Sequence, residues 1–126
     1  MSPIIRKKVL IVEDEETTYK ALMTTLQGGG FAVLHTMTGG KALDLAAQEK
    51  PDLILLDLVL PGFSGLDVLA NLKNNPNTHD IPVLILSQLS DQDSISRGIT
   101  LGAMGYLVKS EYQLDDIVKK VKEILK

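Results

Sequence analysis

Short apolar runs alternate with amphipathic stretches along the chain. Val9-Leu10-Ile11-Val12 is compact and mostly β-branched, the kind of run that a strand buried on both faces requires. Tyr19, Leu22, Met23 and Leu26 follow at i, i+3, i+4 and i+7, which predicts one face of a helix. Gly28-Gly29-Gly30 should stop it, because glycine tolerates the left-handed conformation found at helix ends. Phe31 to His35 reads as a second strand, and Ala42, Leu43, Leu45 and Ala46 as a second helix face. After Pro51 comes Leu53-Ile54-Leu55-Leu56, the most apolar strand candidate. Pro61-Gly62-Phe63-Ser64-Gly65 is turn chemistry, and Ser64 with Asp67 resembles a capping box ahead of a helix carrying Leu66, Leu69 and Leu72. Asn74-Asn75-Pro76-Asn77 breaks that helix, and Val83-Leu84-Ile85-Leu86 predicts a fourth strand.

Asp91 to Leu101 is the weakest helix pattern, with only Ile95 and Ile99 in register and Gly98 inside it; Asp91 and Asp93 are expected to cap it. Gly105 to Val108 gives a fifth strand. Leu114, Ile117, Val118, Val121, Ile124 and Leu125 define the clearest amphipathic helix, which Ser110 and Gln113 would open as a capping box. Five strands alternating with five helices imply an α/β fold with a parallel sheet, since each parallel connection needs a crossover of helical length. Right-handed crossovers then place helices on both faces. No linker, repeat or low-complexity tract interrupts the pattern, and the expectation is one domain over residues 1–126.

Composition narrows the function classes. The chain is 44% hydrophobic and 23% charged, ordinary for a globular protein, and 126 residues suffice for one proper core. A net charge of −3 offers no general attraction for nucleic acid or anionic lipid, so neither is expected as a direct partner. The absence of cysteine excludes disulfides, thiolate metal sites and a Cys nucleophile. Basic Arg6, Lys7 and Lys8 precede an apolar run that stops at Glu13, far short of a signal peptide or of the about 20 residues a membrane span needs. A cytoplasmic location is the expectation.

Ligands of open parallel sheets bind beyond the carboxyl ends of the strands. Here those ends are Glu13-Asp14, Asp57, Ser87 and Lys109, so three carboxylates, a hydroxyl and an ammonium should meet at one rim. Clustered carboxylates repel and raise a pKa unless a cation relieves them, and Mg²⁺ is commonly held by one or two carboxylates with waters and phosphate oxygens. Asp57 could then act as a nucleophile, as carboxylates do in forming aspartyl-phosphates, with Lys109 supplying positive charge and Ser87 a hydrogen bond. Each residue alone has a plainer explanation: Asp57 a solvated loop residue, Glu13 to Glu16 an acidic first helical turn, Ser87 a cap, Lys109 a surface charge. Four polar positions at the ends of four buried strands together favour the chemical reading. His35 and His79 lack a third ligand in the pattern and are expected to be solvated.

The acidic pair Glu13-Asp14, the run Asp57-Leu58-Val59-Leu60-Pro61 with Gly65, then Ser87, and Tyr106-Leu107-Val108-Lys109 resemble the receiver domain of two-component response regulators, of the single-domain chemotaxis-regulator kind, over essentially the whole chain. The resemblance implies a flavodoxin-like sheet of order 2-1-3-4-5. It implies Mg²⁺ on Asp14, Asp57 and the Val59 backbone carbonyl, with Glu13 acting through water. Asp57 would take its phosphoryl group from a histidine kinase or phosphotransfer protein, and Ser87 and Tyr106 would form a switch pair. A downstream protein would dock on the fourth helix, fifth strand and last helix, making the chain a signalling module rather than a turnover enzyme.

Two positions depart from the family pattern, and Glu13 in place of an aspartate is a mild, common variation. Lys109 precedes Ser110 where the family has a cis-joined proline; a non-proline cis bond costs about 3 kcal/mol, so either a trans bond with a shifted loop or a strained cis bond is expected. Gln88 replaces a small residue and either crowds the site or adds a hydrogen bond, and Glu13 lengthens one arm of the metal site. Apolar Val59 and Leu89 should flank the route of a hydrolytic water. A receiver-like module that no longer takes phosphate is the alternative. A dehalogenase-like phosphatase would need a second aspartate where Val59 stands, and the acidic run Glu13 to Glu16 would repel the phosphate of a flavin.

Overall fold

The protein was analysed as a computed structural model that describes residues 6–62 and 64–126. Phe63 of the predicted turn and Met1 to Ile5 of the N-terminal segment lie outside the described residues. Five strands alternate with five helices: β1 (Lys8–Val12), α1 (Glu16–Gly28), β2 (Ala32–Thr36), α2 (Gly39–Glu49), β3 (Leu53–Leu56), α3 (Gly65–Asn74), β4 (Val83–Ser87), α4 (Gln92–Thr100), β5 (Gly105–Val108) and α5 (Leu114–Ile124). All pairings are parallel, in the order β2-β1-β3-β4-β5. This is the doubly wound sheet the alternation predicts.

Side chains of a strand alternate between its faces, and here both faces are apolar. Val9, Ile11, Leu53, Leu55, Leu84, Leu86 and Leu107 point to one side and pack with Leu22 and Leu26 of α1 and Ile117, Val118 and Val121 of α5. Leu10, Val12, Ile54, Leu56, Val83 and Ile85 point to the other and meet Ala42 and Ala46 of α2 and Val68, Leu69 and Leu72 of α3. Burying each such aliphatic side chain contributes about 1.5–3 kcal/mol, which makes the sheet a rigid base for its carboxyl-end rim.

Several local expectations are corrected. β2 begins one residue late, Phe31 being a buried anchor ahead of it. Of Gly28, Gly29 and Gly30, the first still belongs to α1 and only Gly30 takes a positive φ, +96°. In α4 the inward residue is Gly98, against Ile85 and Tyr106, whereas Ile99 is 48% exposed. Asp91 caps α4 by accepting from the Ser94 N–H at 3.0 Å, but Asp93 faces Arg97 instead. Lys109–Glu111 forms a 3-10 turn, so α5 opens three residues later than a Ser110 cap would require: Asp116 accepts from the Gln113 N–H at 3.2 Å. No described peptide bond is cis, so Lys109–Ser110 is trans. No helix among the described residues is long and apolar enough to cross a membrane.

Candidate phosphoacceptor site

Register brings the predicted residues together. Val12 pairs with Leu56, so Glu13 and Asp57 leave adjacent strands side by side, and the Asp57 N–H bonds the Val12 carbonyl at 3.0 Å. Ser87 pairs with Val108, which puts Lys109 at the same rim. One carboxylate oxygen from each of Glu13, Asp14 and Asp57 lies within 4.8 Å of the others. They line a cleft of about 350 Å³ together with Glu15, Val59, Gln88 and Lys109.

Lys109 is the electrostatic centre of this cleft. Its ammonium lies 2.6 Å from Glu13 Oε2 and 3.1 Å from Asp57 Oδ2. The other oxygen of each carboxylate accepts from backbone: Glu13 Oε1 from the Glu15 N–H at 3.1 Å, Asp57 Oδ1 from the Val59 N–H at 3.2 Å. Burial pushes the Glu13 carboxyl above its ordinary range, and the charge of Asp57 adds to that, against the Lys109 hydrogen bond. Burial pulls on the Lys109 ammonium in the opposite sense, yet the two carboxylates outweigh it and hold the amine above its usual value. The predicted conflict between carboxylates is thus present and only partly relieved by lysine. An all-oxygen donor set on fixed backbone suits a hard divalent cation.

Ser87 behaves differently from expectation. It is fully buried and does not line the acidic cleft; its hydroxyl oxygen accepts from the Leu89 N–H at 3.2 Å. The Tyr106 hydroxyl donates to the Leu89 carbonyl at 2.6 Å, so the backbone on either side of the Leu89 Cα connects the two side chains.

The sequence reading missed the role of His35, which is half-buried and held by specific contacts. Its ring stacks on Tyr19 at 3.7 Å between centroids, and its Nε2 donates to the Glu13 carbonyl at 2.8 Å. Strand parity held the signal, since His35 shares the α1-facing side of β2 with Val33. His79, by contrast, is exposed and pairs only with its neighbour Asp80.

The profile of the response regulator receiver domain family matches residues 9–122. The chain belongs to that family. The phosphate regulon transcriptional regulatory protein PhoB of Pseudomonas aeruginosa is 32% identical over 98% of this receiver, which spans 53% of PhoB. The polar-differentiation response regulator DivK of Brucella anthropi is 37% identical, with 82% of this chain and 84% of DivK covered. Among solved structures, the phosphorylated cyanobacterial phytochrome response regulator RcpA superposes with a TM-score of 0.79 at 31% identity, covering 95% of this chain and 91% of its own. The receiver therefore spans about half the length of the PhoB relatives it matches.

Proposed function

We propose that residues 1–126 act as one receiver domain in which Asp57 accepts a phosphoryl group from a histidine kinase or phosphotransfer protein. The observation that carries this is the convergence of the Glu13, Asp14 and Asp57 carboxylates within 4.8 Å, with Lys109 seated against two of them. Asp14, Asp57 and the Val59 carbonyl would hold Mg²⁺ directly and Glu13 through water. When bound, the cation would neutralise charge on the group in transfer. A carboxylate oxygen of Asp57 would attack phosphorus; the O–P bond forms as the donor's P–N bond breaks, and its electron pair leaves on the imidazole.

Lys109 can exchange its Asp57 contact for an oxygen of the arriving phosphoryl group. Ser87 accepts from Leu89 through its oxygen, which leaves its hydroxyl proton free; to donate it to that group, the buried side chain would turn toward the cleft. Such a movement would pull on the Leu89 N–H, one residue's backbone away from the carbonyl that Tyr106 holds, and so reach the surface of α4, β5 and α5 where a downstream protein would dock. RcpA, 31% identical, is described in the phosphorylated state. The test is incubation with acetyl phosphate and Mg²⁺ followed by intact-mass measurement. Wild type should gain one phosphoryl group and Asp57→Asn none. No adduct on wild type would favour an interaction module that no longer takes phosphate, a reading motivated by Gln88 at the cleft and Ser110 beside Lys109.

A further inference from the structure

We propose that His35 is a positioning residue for the acidic cleft, fixing the peptide that carries Glu13 and Asp14 and so setting how tightly the cleft holds a divalent cation. The inference rests on the phosphoacceptor reading, since it concerns the same cleft.

β1 and β2 bond in the usual slanted parallel pattern, beginning with the Ala32 N–H on the Lys7 carbonyl. Stepping two residues at a time along each strand, the Thr38 N–H would be next in line for the Glu13 carbonyl. It is diverted instead to the Thr36 hydroxyl at 3.4 Å, as the chain turns toward α2. His35 fills the vacated role: its Nε2 reaches the Glu13 carbonyl at 2.8 Å, and because a carbonyl only accepts, that nitrogen carries the proton. The Glu13 N–H is meanwhile held by the Thr36 carbonyl at 3.1 Å. Both peptides flanking Glu13 are therefore tied to β2, one of them by a side chain.

Stacking on Tyr19, at an interplanar angle of 20°, holds the plane of that ring. The Tyr19 N–H bonds the Glu15 carbonyl at 3.0 Å, and the Glu15 N–H holds the Glu13 carboxylate. The same turn of α1 thus braces both the backbone and the side chain of Glu13. Losing a partner that orients a metal ligand lowers metal affinity about 10–100-fold. His35 acts through one backbone carbonyl, so the effect should lie near the lower end, about tenfold.

The test uses the full chain and two variants. His35→Phe keeps a ring to stack on Tyr19 but has no donor; His35→Gln offers an amide donor near the Nε2 position without the ring. Calorimetric Mg²⁺ titration should show about tenfold weaker binding for His35→Phe and recovery of most of that loss in His35→Gln. In wild-type spectra without metal, the His35 Nε2 proton should exchange slowly with solvent. Urea unfolding run alongside separates a merely structural role, which would lower stability and leave the Mg²⁺ constant unmoved. That result, or a His35→Gln variant as weak as His35→Phe, overturns the inference. Wild type that binds no Mg²⁺ would overturn the cleft reading itself, and this inference with it.

Discussion

Gly65 is the point at which α3 meets the backbone of Asp57, and replacing it with alanine should be far more damaging than a single methyl suggests. The Gly65 N–H donates to the Leu58 carbonyl at 2.9 Å. An added Cβ would sit 2.6 Å from the Leu58 Cα and 2.9 Å from the Asp57 carbonyl carbon, and nearer still to the Asp57 carbonyl oxygen. Non-bonded carbons settle at about 3.5–4.0 Å. Every obstructing atom is backbone, so no rotamer change relieves the overlap. Either the start of α3 or the Asp57-Leu58 peptide must move.

Overpacking of this kind costs about 1–3 kcal/mol. The Gly65–Leu58 hydrogen bond and the Ser64 cap on α3 each contribute about 1 kcal/mol and are both at risk. A loss of about 3–5 kcal/mol is expected, a large part of the about 5–15 kcal/mol that holds a domain together. The helix-forming advantage of alanine is small here, because Gly65 is the first residue of α3. With a urea m-value of about 1–3 kcal/mol/M, the midpoint should fall by about 1–5 M. Gly62→Ala is the control: Gly62 has φ +87° and nothing within 4 Å of an added Cβ, so it should lose only about 1–2 kcal/mol of backbone strain. A Gly65→Ala midpoint within about 0.3 M of wild type would refute the argument from space.

Lys109→Met removes the one ammonium between two buried carboxylates; breaking such a pair costs about 3–5 kcal/mol, less here because Glu13 can take up a proton. The loss in urea unfolding should shrink on addition of Mg²⁺, and an equal loss with and without the ion would count against the cleft as a cation site. Val59 and Leu89 are 55% and 37% exposed and apolar, so neither can orient a hydrolytic water; the phosphoprotein should persist for minutes or longer by intact mass, and a half-life of seconds would contradict this. The Asp91 carboxyl is held below its ordinary value by the backbone N–H and hydroxyl of Ser94. Its stabilisation is then complete above pH 3.8 and lost as pH falls below it, so Asp91→Asn, which keeps a cap acceptor without the charge, should flatten the acid limb of stability against pH. An unchanged acid limb would refute that.

Strand positions were legible because four of the five strands are runs of contiguous apolar residues, whose only competing reading is a short buried helix. Helices were legible where an apolar stripe faces a layer, as in α5, and poorly legible in α4, where the contact face is Gly98 rather than a large side chain. The start of α5 was misread because a 3-10 turn consumes Lys109–Glu111, and nothing in Ser110-Glu111-Tyr112-Gln113 distinguishes one cap frame from the next. The convergence of Glu13, Asp14, Asp57 and Lys109 followed from their common place at strand ends. The burial of Ser87 away from the cleft did not, since it depends on how the chain turns after β4. His35 escaped because it was sought as a metal ligand and not as a hydrogen-bond donor to backbone.

The arrangement around Lys109 also accounts for how so acidic a rim can exist on a stable sheet. Glu13 and Asp57 are nearly buried, 2% and 6% exposed, and two such carboxylates without compensation would oppose folding. Each divides its oxygens between the Lys109 ammonium and a backbone N–H, so the lysine serves as a counter-ion built into the chain. Among the converging groups, three carboxylates against one ammonium leave two formal negative charges, and Glu15 adds a third to the lining of the cleft. A divalent cation therefore meets an excess of negative charge and can be taken up without expelling Lys109. A phosphoryl group arriving on Asp57 would then add negative charge that the amine is already positioned to meet. The pairing that lets the acidic rim fold is the same pairing that keeps a positive charge beside Asp57.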